Sequence, residues 1–198
     1  MRNKIYSERR RKIYRLLNQV LKNSLFTKLI QKDQKYQNLE IDTLTGVYNQ
    51  FAINQFLKEL HPQELTQYGI ILLNIDNFSK LNEEYNQHVT NEILVSVAQQ
   101  LSHNIRDTDL VGRFSDSEFI LILNDINQQQ VIQIAERLLI AIRNDPIKVK
   151  NKLVHAELSY GVSISEQNTK SHEVLQQADQ NRFAVKSQGF HSGSQKLS

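Results

Sequence analysis

Two short aliphatic blocks, Gly69 to Ile75 (GIILLNI) and Phe119 to Leu123 (FILIL), constrain this chain more than any other feature. Each is too short for an ordinary helix and rich in residues that favour strands, so each reads as a strand buried in a core. Around them, apolar residues recur at three- and four-residue steps, the period of a helix with one face turned inward. Asp42 to Gly46 reads as a turn with a helix start. Residues 47 to 60 then carry Val47, Phe51, Ile53, Phe56, Leu57 and Leu60 at helical spacing, and His61-Pro62 closes the run. A polar helical stretch from Asn77 to about Tyr85 precedes a second helix, Asn91 to Ile105, with Ile93, Leu94, Val97, Ala98 and Leu101 inward. Gln128 to Ile142 repeats the pattern with Val131, Ile134, Ala135, Leu138, Leu139 and Ile142. Val111 to Phe114 with Ser115 to Ser117 predicts a hairpin into the second block, Val154 to Ser165 alternates like a strand, and residues 171 to 187 form a last helix. Strands separated by helices in one unit predict an α/β or α+β sheet covered by helices.

The 198 residues suffice for one core and a modest appendage. No apolar run approaches the roughly 20 residues that cross a bilayer, and the N-terminus lacks the apolar block of a signal peptide. A cytoplasmic location is therefore expected, peripheral at the membrane only where a partner takes the protein there. With no cysteine there is no disulfide and no thiolate zinc site. His61, His88, His103, His155, His172 and His191 lack metal-ligand spacing, so no metal site is expected. No phosphate-binding loop, nucleophile elbow or dinucleotide fingerprint occurs either.

Charge divides the chain more sharply than composition does. Residues 1 to 35 hold eleven Lys/Arg against Glu8 and Asp33, a net +9, and the remainder holds thirteen against nineteen acids, a net −6. From Ile5 to Leu39 there is no Pro or Gly, and Ile13, Leu16, Leu17, Val20, Leu21, Leu25 and Leu29 predict a long amphipathic helix. The basic cluster at its start opposes the helix dipole and favours fraying of the first turns. Such a helix suits a stalk that pairs two chains, a protein-docking element, or, less favourably, a contact with nucleic acid or anionic membrane. A solubilising helix packed on its own domain is the plainer alternative. The expected organisation is a basic helix over 1–40, a globular domain over 41–190 and a flexible tail over 191–198.

Four collinear segments resemble the GGDEF family, the diguanylate cyclase fold. Asp42-Thr-Leu-Thr-Gly-Val-Tyr-Asn49 resembles its opening motif D-x-L-T-G-L-x-N, and Asn74-Ile-Asp76-Asn-Phe78-Ser-Lys-Leu-Asn82 resembles D-x-D-x-F-K-x-I-N. Tyr85 to Asn91 stands where the family has Y-G-H-x-x-G-D, and Arg113-Phe-Ser-Asp-Ser-Glu118-Phe119 where it has R-x-G-G-D-E-F. Ser159-Tyr-Gly161-Val, Ala178-Asp179 and Ala184-Val-Lys186-Ser-Gln-Gly189 match the closing segments. The resemblance implies a nucleotidyl-cyclase-like fold, a central, mostly antiparallel sheet flanked by helices.

The departures from the family pattern bear on activity. The family joins two GTP molecules by attack of a ribose 3′-OH on an α-phosphate, with magnesium stabilising the developing charge. The resemblance places the carboxylates that hold this hard cation at positions occupied here by Asn74 and Ser117. The paired glycines are Ser115 and Asp116, and Asp116 sets a negative charge against a polyanion. Asn82 matches the base-reading Asn, Asn91 replaces an Asp, Lys186 matches the phosphate-binding Lys, and Phe190 replaces an Arg. Asp76 and Glu118 keep acidic positions. Lost catalysis, no required cofactor and no magnesium are the expectation, with residual nucleotide binding at Asn82, Asn91 and Lys186 as an alternative.

One family feature is intact. Active members carry a product-inhibition motif R-x-x-D just before the hairpin, and Arg106-Asp-Thr-Asp109 occupies that place. An arginine fork matches the O6/N7 edge of guanine, and a carboxylate accepts from its N1 and N2 protons. Arg137 matches a second family arginine, suited to an intercalated dimer of cyclic di-GMP. A surface ion pair of little worth is the plainer reading of Arg106 and Asp109. The chain is thus expected to be a catalytically inactive cyclic di-GMP receptor signalling through its N-terminal helix. The alternatives are a ligand-independent scaffold or a GTP-binding regulatory module.

Overall fold

The first aliphatic block becomes β1 (Tyr68–Ile75), an inner strand of a four-stranded antiparallel sheet. In a computed structural model, the structure describes residues 40–60, 67–149, 152–167 and 169–187; at 149, 152 and 183–187 only the backbone is described. The expected N-terminal helix and C-terminal tail lie outside these residues. The remaining elements are α1 (Gln50–Glu59), α2 (Phe78–His103), β2 (Leu110–Arg113), β3 (Glu118–Asn124), α3 (Gln128–Asn144), β4 (Ile147–Val149), β5 (Lys152–Val154), β6 (Leu158–Ile164) and α4 (Ser171–Ser187).

Strand order is β2-β3-β1-β6, with Ile71 opposite Leu121 on β3 and Val162 on β6. Side chains alternate between the two faces of a strand. Ile71, Leu73, Phe119 and Leu121 pack with Ile93, Leu94, Val131 and Leu138 of α2 and α3. Ile70, Leu72, Ile120 and Ile122 pack with Ile53, Leu57, Val174 and Ala178 of α1 and α4. Helices cover both faces, which is why the blocks read as continuous aliphatic runs rather than as alternating strands.

Three local differences from the sequence expectation have physical causes. The first helix starts at Gln50, not Val47, because the Asn49 side chain accepts the Ala52 amide at 2.9 Å and sets the N-terminus there. Tyr48 instead bridges to Gly112, donating to the Val111 carbonyl at 3.1 Å. The two helices expected between Asn77 and Ile105 are present as two limbs of α2 parted at Asn86, where φ is 72° and ψ 166°, so the second limb starts after Asn86 rather than at Asn91. Asn86 Oδ1 accepts the amides of His88 at 3.0 Å and Val89 at 3.4 Å, so the kink residue recaps the second limb. Finally, β6 begins at Leu158, and the preceding residues form the two-stranded β4–β5 hairpin pairing Ile147 with Val154. Strands of three residues are too short to leave a periodic signal.

Tyr68, at the start of β1, is 9% exposed, and burial pushes its phenol from the usual 10.0 up to about 12. The folded state therefore favours neutral tyrosine. Stability from this group is intact below pH 10 and is lost as pH rises through 12. Urea unfolding between those limits is expected to show the decline, and Tyr68→Phe to reduce it.

Candidate functional site

The β2–β3 hairpin is built by the strands that carry it. Its turn closes through the amides of Phe114 and Ser115, which donate to the Glu118 carbonyl at 2.8 and 3.3 Å. The Ile75 amide donates to the Ser117 carbonyl at 3.0 Å, tying the turn to the end of β1. None of Ser115, Asp116 and Ser117 has positive φ, so this turn needs no glycine. Register sets Asn74 opposite Glu118, and Ser117 Oγ donates to Asn74 Oδ1 at 2.9 Å. Two of the positions that depart from the family pattern are thus hydrogen-bonded to each other.

Asp76 and Glu118 nearby also have side-chain partners. Asp76 is buried, and its Oδ1 accepts from Ser159 Oγ at 2.9 Å. Glu118 accepts from Ser115 Oγ at 2.9 Å and pairs with Arg182 Nη1 at 2.9 Å. Asp116 is exposed, and its carbonyl accepts from Arg113 Nη2 at 2.9 Å, while Arg113 Nη1 lies 3.5 Å from Asp42 Oδ2. Arg113 and Arg182 therefore brace the hairpin from two sides. Sequence reading missed Arg182, yet a signal existed. Val174, Ala178 and Arg182 fall at four-residue steps, which sets a cation on the inward stripe of α4.

Beside the hairpin an opening of about 390 Å³ is lined by Asn74, Asn77, Phe78, Lys80 and Ser117. Asn82 and Asn91 lie on either side of the α2 kink, and Asn82 Oδ1 accepts from Thr90 Oγ1 at 2.9 Å. Lys186 lies in the last turn of α4.

At the opposite end of β2, residues 106–109 form a turn. The Asp109 amide donates to the Arg106 carbonyl at 3.0 Å. Asp109 is 3% exposed, and its carboxylate accepts the backbone amides of Arg106 at 3.1 Å and Asn124 at 3.2 Å. The adjoining cavity of about 60 Å³, lined by Tyr48, Ile105, Arg106 and Asp109 among others, admits water but not a purine. Arg106 itself is exposed. Arg137, also exposed on α3, donates through Nη2 to the Asn104 carbonyl at 2.8 Å, which brings it to the same turn. Arg137 thus meets the chain two residues before Arg106, and of the three residues Arg106 and Arg137 are exposed and Asp109 is buried.

An antiparallel sheet covered by helices on both faces, with a tight hairpin beside β1, is the architecture of GGDEF domains. The GGDEF domain of DgcB from Caulobacter crescentus, solved in complex with cyclic di-GMP, superposes with a TM-score of 0.73 at 19% identity, over 78% of this chain and 94% of that one. SiaD from Pseudomonas aeruginosa, a diguanylate cyclase solved with its activator SiaC, gives 0.70 at 25% identity, over 92% and 72%. The sequence makes the assignment specific. The family described as diguanylate cyclase, GGDEF domain, matches residues 39–192, and the chain belongs to that family.

Among its relatives, the uncharacterised protein YhcK of Bacillus subtilis is 31% identical over 140 residues, 69% of this chain and 38% of the relative. The diguanylate cyclase DgcP of Pseudomonas aeruginosa is 28% identical over 161 residues, 80% of this chain and 24% of the relative. The chain therefore spans well under half the length of either protein. Among the described residues no helix is long and apolar enough to cross a membrane.

Proposed function

We propose that this GGDEF domain binds cyclic di-GMP without synthesising it, and that its basic segment, residues 1–35, passes the signal to a protein partner. The observation that carries the reading is the convergence of exposed Arg106 and Arg137 on one turn. Two exposed arginines suit the O6/N7 edges of guanine bases. Asp109 holds the turn that presents Arg106. The DgcB complex, in which a domain of the same fold holds cyclic di-GMP, adds support.

Synthesis is not proposed because, among the described residues, no group of acidic or histidine side chains is placed to hold a metal ion. Magnesium needs anionic oxygen. Asn74 and Ser117 are neutral and hydrogen-bonded together, and Glu118 is engaged by Arg182. No cofactor is required. The domain is taken as 41–190, and residues 1–40 as the output element, alone or paired between two chains. SiaD, solved with a protein activator, is a precedent for a protein partner.

Isothermal titration of the purified chain with cyclic di-GMP is the test. Saturable binding is expected, and Arg106→Ala is expected to weaken it about 10- to 100-fold, the loss of one bidentate base contact. No heat at tens of micromolar protein, or undiminished binding by the variant, refutes the reading. Product formed from GTP with magnesium or manganese would restore an enzyme. Nucleotide indifference combined with salt-sensitive binding of a partner would favour a ligand-independent scaffold, a reading that the +9 charge of residues 1–35 supports.

A further inference from the structure

Two carboxylates near the hairpin, those of Glu118 and Asp179, are paired from within the chain. Arg182 Nη1 lies 2.9 Å from Glu118 Oε1, and Nη2 of the same guanidinium donates to Asp179 Oδ1 at 2.6 Å. One planar fork thereby joins an acid on β3 to an acid on α4. Arginine provides this fixed geometry, whereas a lysine ammonium is a point charge. The Arg182 side chain is 18% exposed, and its Nε is buried with no hydrogen-bond partner. An unpaired buried N–H is unfavourable, so the two charge-assisted bridges must outweigh it.

A divalent metal does not fit this arrangement. The family's two ligand positions, Asn74 and Ser117, are neutral and closed on each other, and the adjacent acids already share a cation. We infer that Arg182 is the resident cation of this site, its guanidinium standing between Glu118 and Asp179 and fixing the hairpin to α4 without metal. Arg182 is a positioning residue that acts through Glu118. The inference deepens the non-catalytic reading of the hairpin and is independent of cyclic di-GMP binding, so failure of the Arg106 titration leaves it standing.

Manganese is the probe, followed by isothermal titration and by paramagnetic broadening of the Ser115 to Phe119 amides in nuclear magnetic resonance spectra of the full chain. Wild-type protein is expected to show neither heat nor selective broadening at millimolar Mn²⁺. Arg182→Leu leaves two facing carboxylates with no cation between them. It is expected to gain saturable Mn²⁺ binding at roughly millimolar affinity, the range of sites with few carboxylates. Adding Glu118→Gln should remove that binding, and Arg182→Lys should restore the indifference of the wild type. Selective broadening of the wild-type hairpin, or a folded Arg182→Leu protein that ignores Mn²⁺, overturns the inference. Should Arg182→Leu fail to fold, Arg182→Gln takes its place under the same criteria, and the wild-type spectrum remains decisive by itself.

Discussion

Gly161→Ala is expected to destabilise the domain by about 3 kcal/mol or more, at the upper end of what overpacking costs. A Cβ at Gly161 would lie 2.0 Å from the Ala178 carbonyl oxygen and 2.5 Å from the Arg182 amide nitrogen. Both are backbone atoms of α4, so no side-chain rotation relieves the clash. The helix would have to lift from β6, and with it Val174 and Ala178, both buried under the sheet. Since a kcal/mol shifts melting by roughly 2–4 °C in a domain of this size, a fall of about 10 °C is expected in a thermal scan. A change under about 2 °C would mean that α4 sits less tightly on β6 than described. The same variant displaces Arg182, so loosening of the hairpin should accompany the loss of stability.

Asp109→Ala carries the second large effect, and it falls on stability before it falls on binding. The carboxylate accepts two backbone amides, those of Arg106 and Asn124, at a residue 3% exposed. Truncation leaves both donors without that acceptor. Each such group costs about 1–3 kcal/mol, so a loss of about 2–6 kcal/mol is expected in urea unfolding. Asp109→Asn, which keeps one acceptor oxygen, should lose roughly half as much. If Asp109→Ala instead melts as the wild type does, its amide contacts are of little consequence and a direct contact with ligand becomes the better account. Arg106 and Arg137 are therefore the cleaner probes of recognition, since their exposed side chains can be shortened without emptying a buried position.

The frame of this fold was legible because its signals were long. Two aliphatic strands and helices of ten residues or more repeat their pattern several times, and burial on one or both faces enforces it. What escaped was short or was decided by one atom. The three-residue strands β4 and β5 carry too little pattern, and the start of α1 was set by the Asn49 oxygen rather than by periodicity. The start of the second limb of α2 was set by Asn86, which takes a positive φ and caps that limb. At the site, the family resemblance brought Arg106, Asp109 and Arg137 to notice. It could not reveal that one of the three turns inward, because orientation comes from tertiary hydrogen bonds. Arg182 was missed for a related reason: an arginine on a helix reads as solvated surface until an acid on another element claims it.

Strand β2 is only four residues long, Leu110 to Arg113, with the braced hairpin at one end and the arginine-bearing turn at the other. That is a separation of roughly 13 Å along the strand. Each end is secured by its own bonds: Arg113 and Arg182 at the hairpin, Asp109 and Asn124 at the turn. The strand works as a rigid spacer between two modules that can be inherited separately. Side chains at one end of the strand can therefore change without unfastening the bonds that secure the other.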